Sequence, residues 1–218
     1  MQKNWKFKFA YSALIMELDS YKAHVKKVDS LLEIERTDFE GQLQSDINQM
    51  DELDAKAYVD FMHEEHWELL ETLPSIQRKS ELISMYTILE NGLNQVCKIF
   101  QDEIQNPVKL SDLSSHGIID KSKKYLEKVA LIKFPSGAGS DWEEIIFIQQ
   151  IRNAFVHNEG LVKEGNKKLI TYINNSKFFE LKADSKLLIN KGFSWYCLQV
   201  FQDFFTSLFS EIDRSTKI

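Results

Sequence analysis

The sequence predicts a mainly α-helical protein: an antiparallel helical bundle with a long N-terminal helical arm and a small β-hairpin inserted before the last helix. Three observations carry this. Only 3 prolines and 8 glycines occur in 218 residues, so turn signals are sparse and long helices are favoured. Apolar residues recur at three- and four-residue spacing over most of the chain, the period of a helix with one buried face. The period shifts toward two only after Gly160, and only briefly. With 43% hydrophobic and 28% charged residues, the composition is that of a globular protein long enough to bury a core.

Residues 4–48 contain no proline, and Gly41 is their only glycine. Leu14, Leu18, Tyr21, Val25, Val28 and Leu32 fall near a three-four repeat, and charge takes over at Glu35, so one long amphipathic helix is expected. Residues 51–72 form a second helical piece carrying Tyr58, Phe61, Met62, Trp67, Leu69 and Leu70, which should end before Pro74. Residues 75–104 form the next helix, with Leu82, Met85, Leu89, Leu93, Val96 and Phe100 as its core stripe, stopped by Asn106-Pro107. Ser111 and Ser115 are candidate starts of a helix whose apolar face is Ile118, Ile119, Tyr125, Leu126, Val129 and Ile132. Residues 135–140 (PSGAGS) are the clearest loop, and Asp141 after them is a candidate N-cap.

A helix is expected over residues 143–160: Ile148, Ile151 and Phe155 recur at helical spacing, and Gly160 is a stop. Residues 168–174 (KLITYIN) and 178–182 (FFELK) alternate apolar and polar around Asn174-Asn175-Ser176-Lys177, a hairpin signal, with a third extended piece at 186–189. Residues 190–213 are apolar on more than one side, as expected of a helix central to the core or to a subunit interface.

Charge divides the chain more sharply than pattern does. The 27 basic and 33 acidic residues give a net −6, which argues against a general nucleic-acid coat. Residues 37–73 hold eleven acids against one lysine, a net −10, whereas residues 74–218 hold nineteen basic against seventeen acidic residues, a net +2. The expected organisation is thus an arm or extended helical hairpin over 1–73 and a helical body over 74–218. The acids of the arm read as a solvated helix face, or as a surface that offsets the body or docks a basic partner. Cys97 and Cys197 sit in apolar helical settings and read as reduced core residues. The apolar run 9–16 is followed at once by Glu17 and Asp19 without a small-residue cleavage site, so no signal peptide is expected. No run reaches the length of a membrane span, and the cytoplasm is the expected compartment.

Few groups offer chemistry. His63-Glu64-Glu65-His66 spaces its histidines at i and i+3 rather than i and i+4, without an evident third ligand, so no metal site is expected; His24 and His116 show no partner pattern. The Gly137-Ala138-Gly139-Ser140 run lacks the preceding strand and the Lys-Ser/Thr ending of a phosphate-cradling loop. No cofactor is implied. What remains is Arg152, Asn153 and His157 near the C-terminal end of the 143–160 helix, with Asn153 and His157 on one face with Gln149 and Arg152 on the flank. A cation, an amide and an imidazole within two turns suit a phosphate, and an ordinary polar helix face is the competing reading. Arg152 paired with Glu90, Glu144 or Glu159 would make the cluster structural.

The segment IRNAFVH, with Arg152, Asn153 and His157, resembles the R-polar-xxx-H signature of HEPN-domain proteins. The helix LISMYTILENGLNQVCKIF resembles a HEPN second helix, in which an acid such as Glu90 faces the motif. The resemblance covers about residues 75–213 and leaves the first seventy loosely assigned. It implies a metal-independent endoribonuclease acting as a homodimer, with two motif helices forming one composite cleft. His157 would act on the ribose 2′-OH or on the leaving 5′-oxygen, Arg152 would hold the phosphate oxygens, and Asn153 would orient the imidazole or donate to the phosphate. Products would be a 2′,3′-cyclic phosphate and a 5′-hydroxyl. Glu90 and Gln149 are the expected supporting residues. Lys163, Lys167 and Lys168, or else Lys121, Lys123, Lys124 and Lys128, would guide the RNA backbone, with solvated faces as the competing reading. A toxin or phage-defence setting, with an antitoxin or regulatory protein as partner, follows from the resemblance alone. The alternative function is a catalytically inactive module of the same shape that binds RNA, a nucleotide or a protein.

Overall fold

The computed structural model describes residues 4–104, 107–115, 117–137 and 139–216; Asn106, His116 and Ala138 lie outside the described residues. The chain is mainly helical with a small two-stranded sheet. Helix α1 (Asn4–Ile47) runs the length read from its repeat. Helix α2 (Glu52–Trp67) starts at Asp51, whose carboxylate accepts the backbone N–H groups of Leu53 and Asp54.

Pro74 does not end that helical path. A single π-helical turn (Glu68–Thr72) leads directly into α3 (Leu73–Ile104), and Leu73 N–H bonds back to the Glu68 carbonyl. Pro74 sits at the second position of α3, where its missing N–H falls next to the widened turn and its ring meets no tight i−4 bond. The expected break before Pro74 is replaced by an irregularity that the helix passes through.

A 3-10 turn (Leu110–Asp112) contains Ser111 and precedes α4 (Ile118–Lys128), so neither Ser111 nor Ser115 caps that helix. Helix α5 (Asp141–Asn158) has Ser140 rather than Asp141 at its N-cap, with Asp141, Glu143 and Glu144 in the first turn facing the helix dipole. Residues 168–174, expected as a strand, lie in helix α6 (Lys167–Asn175). The KLITYIN pattern fits both periods over so short a run. Burial of Leu169 and Ile173 one turn apart, and the Asn166 side chain accepting Leu169 N–H at 3.3 Å, settle it as a helix. The hairpin forms one segment later, from β1 (Phe179–Leu181) and β2 (Leu187–Ile189), with Phe179 opposite Ile189 and Leu181 opposite Leu187.

Helix α7 (Phe193–Thr216) is the centre of the core. Phe193, Cys197, Leu198, Phe201, Phe204, Phe205 and Leu208 are fully buried, and α1, α3 and α5 all pack on it. Gly92 of α3 permits a close approach of α1 and α7, because a Cβ there would stand 2.8 Å from Phe205 Cζ and 3.2 Å from the Leu14 methyls. Arg78 Nη1 donates to the Ile189 carbonyl at 3.1 Å and Ser194 Oγ donates to the buried Glu81, tying α3 to the hairpin and to the start of α7. Cys97 and Cys197 are free and buried, and burial pushes the Cys97 thiol up to about 12.

Helix α1 belongs to two environments. Phe7, Ala10, Leu14, Leu18 and Val25 are core residues, whereas no residue from Lys26 to Leu73 is buried. The projecting arm is therefore the distal part of α1 folded against α2, held by the Phe39–His66 ring stack at 5.7 Å and by Tyr58 Oη donating to Asp46 at 3.0 Å.

Candidate active site at the end of α5

Helix α5 is positioned by its apolar face: Trp142, Ile145, Ile148, Ile151 and Ala154 are buried against α3 and α7. It stops by chain geometry. Glu159 adopts the left-handed conformation (φ 53°), and Gly160 (φ 86°) donates its N–H to the Ala154 carbonyl at 2.9 Å. Only glycine fits the second of these positions, since a Cβ on Gly160 would lie 2.9 Å from Phe155 Cε1. The polypeptide then runs beside the hairpin, with Leu187 N–H bonded to the Gly160 carbonyl and Val162 N–H to that of Ser185.

Arg152 projects from α5 toward α3. Its guanidinium carbon stands 5.4 Å from the centre of the Tyr86 ring, and its Nη1 donates to Asn153 Oδ1 at 3.1 Å. Tyr86 and Glu90 are one turn apart on α3, so both face the same groove. Burial raises the Glu90 carboxyl above its ordinary range, and the Arg152 charge only partly offsets this. Burial likewise raises the Tyr86 hydroxyl, with Glu90 acting in the same direction, Arg152 and the neighbouring Gln149 amide opposing, and Asp120 adding to the rise. Gln149 also faces the start of α4, where a Cβ on Gly117 would lie 3.8 Å from its Nε2.

The ion-pair alternatives for Arg152 fare differently. Among the described residues no carboxylate lies within 4.0 Å of it. Glu144, two turns earlier on α5, is occupied elsewhere: its Oε2 accepts the hydroxyls of Tyr172 at 2.7 Å and Tyr196 at 2.8 Å. Glu159 is exposed. Glu90 is the carboxyl that Arg152 faces, and it acts through space.

His157 is exposed and makes no hydrogen bond or ion pair to a described residue. At roughly 100° per residue it lies about 140° around the helix from Arg152 and about 20° from Gln150, seven residues earlier. Gln150 Oε1 accepts a hydrogen bond from Asn166 Nδ2 at 2.8 Å, which seats the start of α6 on that side. The structure thus brings Glu90 and Gln149 to the Arg152 side and the segment bearing Lys163, Lys167 and Lys168 to the His157 side. All three lysines are exposed, and Val156, 42% exposed, is solvent-facing between the two sides. One copy of α5 does not close the three groups onto a single phosphate.

The hairpin-region aromatics are packing residues. Tyr172 stacks on Phe147 at 4.2 Å, Phe178 on Tyr196 at 4.8 Å, and Phe179 meets Phe193 at 4.8 Å. Of the lysines on α4, Lys123 pairs with Glu127 at 3.9 Å and lies over the Trp142 ring, and Lys124 Nζ donates to the Ser114 carbonyl at 3.1 Å. Lys121 lines an open cavity together with Lys98 and Lys109, which the sequence pattern did not single out. A larger groove of about 740 Å³ lies elsewhere, where the distal part of α1 passes Lys191 and Trp195, and it contains none of the α5 set. Among the described residues no group of three or more His, Cys, Asp or Glu side chains is placed to hold a metal ion, and no helix is long and apolar enough to cross a membrane. No protein-family model, characterised protein or solved structure matches this chain.

Proposed function

We propose that the protein is a metal-independent endoribonuclease of HEPN type, working as a homodimer with the exposed ends of two α5 helices forming one cleft. The observation that supports this best is the state of Arg152. Its guanidinium is oriented by Tyr86 and Asn153 without being neutralised by an ion pair, on the same helix that presents a solvent-facing imidazole at His157. A structural arginine at this depth is ordinarily paired; a guanidinium kept available suits a phosphodiester that arrives with its own negative charge.

In the proposed reaction, one His157 takes the proton from a ribose 2′-OH, and that oxygen forms a bond to the adjacent phosphorus. The phosphorus–O5′ bond breaks, and the leaving oxygen receives a proton from the partner's His157. This gives a 2′,3′-cyclic phosphate and a 5′-hydroxyl. Arg152 donates to the non-bridging oxygens as charge builds on them, and Asn153 fixes its fork. The 140° between Arg152 and His157 is the physical reason for two copies: a second α5 across a two-fold axis supplies the missing side of the phosphate.

The test uses a labelled RNA oligonucleotide and the same sequence with every 2′-hydroxyl methylated, each incubated with protein in excess chelator. Cleavage of the first alone, with cyclic phosphate ends, is expected, and Arg152→Ala should slow it by ~10²–10³. Cleavage of the methylated strand, or dependence on added divalent metal, would contradict the reading.

A further inference from the structure

We propose that the cavity between α3, the 3-10 turn and the start of α4 is a phosphate subsite, holding a backbone phosphate of the RNA strand away from the position that is cut. The name of the ligand rests on the ribonuclease reading; the anion site itself does not. The cavity is about 340 Å³ and is lined by Asn94, Lys98, Gln101, Lys109, Ile118 and Lys121 among others. Three lysines from three different segments line it, and among the described residues no carboxylate does. The nearby Asp112 is engaged by its own turn, accepting the Lys109 backbone N–H at 2.9 Å and the Ser111 hydroxyl at 3.2 Å. Lys98, Lys109 and Lys121 make no ion pair with a described carboxylate, unlike Lys6, Lys123, Lys182 and Lys191. At ~30 Å³ of liquid volume per water, the cavity has room for roughly ten waters, so a hydrated anion enters without moving protein.

Position links this cavity to the α5 cleft. Asn94 is one turn beyond Glu90 on α3, and Lys98 is eight residues beyond it, about 12 Å along the helix. On the other wall, Ile118 follows Gly117, which abuts Gln149. A strand lying along α3 from Arg152 and Glu90 therefore reaches these lysines next. The polar side chains Asn94 and Gln101 supply donors that a phosphate accepts and that a purely apolar ligand would leave unpaired. A protein of net −6 can still offer a polyanion a local positive site here, because three lysines line this cavity while residues 37–73 carry a net −10.

The experiment measures binding of a fully 2′-O-methylated, uncleavable RNA octamer and of inorganic phosphate, by calorimetry over a range of salt. Proteins compared are wild type, the triple variant Lys98→Gln/Lys109→Gln/Lys121→Gln, and its Lys→Arg counterpart, each first shown by circular dichroism to keep its helicity. The octamer should bind the wild type at least tenfold more tightly than the glutamine variant, with a salt slope steeper by ~0.7 per phosphate contact, and the arginine variant should retain binding. Equal octamer affinity and slope in wild type and glutamine variant would overturn the proposal, as would binding of inorganic phosphate without binding of the octamer. If octamer binding depends on the lysines while the methylated and unmethylated strands are both left intact, the subsite stands and the ribonuclease reading fails. If the unmethylated strand is cut while octamer binding is independent of the lysines, the ribonuclease reading stands and the subsite fails.

Discussion

At Arg152 and Glu90, burial and charge act against each other, and the balance is measurable. Burial raises the Glu90 carboxyl above its ordinary 4.5 by more than Arg152 lowers it. Between 4.5 and that raised value, the folded chain holds a proton that the unfolded chain has released, so stability falls as pH rises through this window. Above it, a charged and partly desolvated carboxylate is a net cost. Glu90→Gln should therefore melt higher than wild type at about pH 7, with the difference closing as pH is lowered through 4.5. A variant that melts lower at both pH values would show instead that Glu90 is held as a stabilising ion-pair partner of Arg152. The arithmetic of the α5 face was legible in the sequence: residues 152 and 157 had to diverge on any straight helix. That Arg152 rests on Tyr86 was not, because that tyrosine lies far away in the chain and stands outside the core stripe read for α3.

At the scale of elements, α5 depends on how it ends. Gly160 combines a left-handed φ with a contact that admits no side chain, so Gly160→Ala should cost about 1–3 kcal/mol. Glu159 carries a left-handed conformation that glycine would adopt freely, so Glu159→Gly should gain about 1 kcal/mol. Denaturant unfolding checks both; a neutral Gly160→Ala would mean that the turn relaxes and that the His157 end of α5 is not fixed. Helix identity was readable where the period ran long, as in α1, α3 and α7. It failed where two periods fitted equally, as in residues 168–174, and where one irregular turn absorbed a proline. The π turn before Pro74 has no sequence mark of its own. Lys98 and Lys109 escaped the sequence pattern for a related reason, since single lysines on separate segments form no cluster until the bundle brings them together.

The whole molecule separates charge from core. The segment from Lys26 to Leu73 holds no fully buried residue, yet its net charge of −10 exceeds the −6 of the whole chain, and it exposes Leu31, Ile34, Leu53, Phe61 and Trp67. Removing residues 1–73 would also remove Phe7 to Val25 from the core. Replacing 38–66 by a short Gly/Ser loop would not, because Phe39 and His66 stand side by side in the full chain, which places the flanking residues 37 and 67 close enough for a short loop to join. That trimmed chain should unfold cooperatively within a few degrees of the full chain, and it should bind RNA more tightly as the repulsion is lifted. A large fall in melting temperature would mean that the arm stabilises the bundle.

The central claim is that the groups on α5 cut RNA. Purified wild-type protein and His157→Ala, a substitution at an exposed side chain, are each incubated with total RNA in excess chelator, and the products are followed by gel. The account predicts progressive cleavage by the wild type and none by the variant; cleavage that survives His157→Ala, or intact RNA with both proteins, would contradict it.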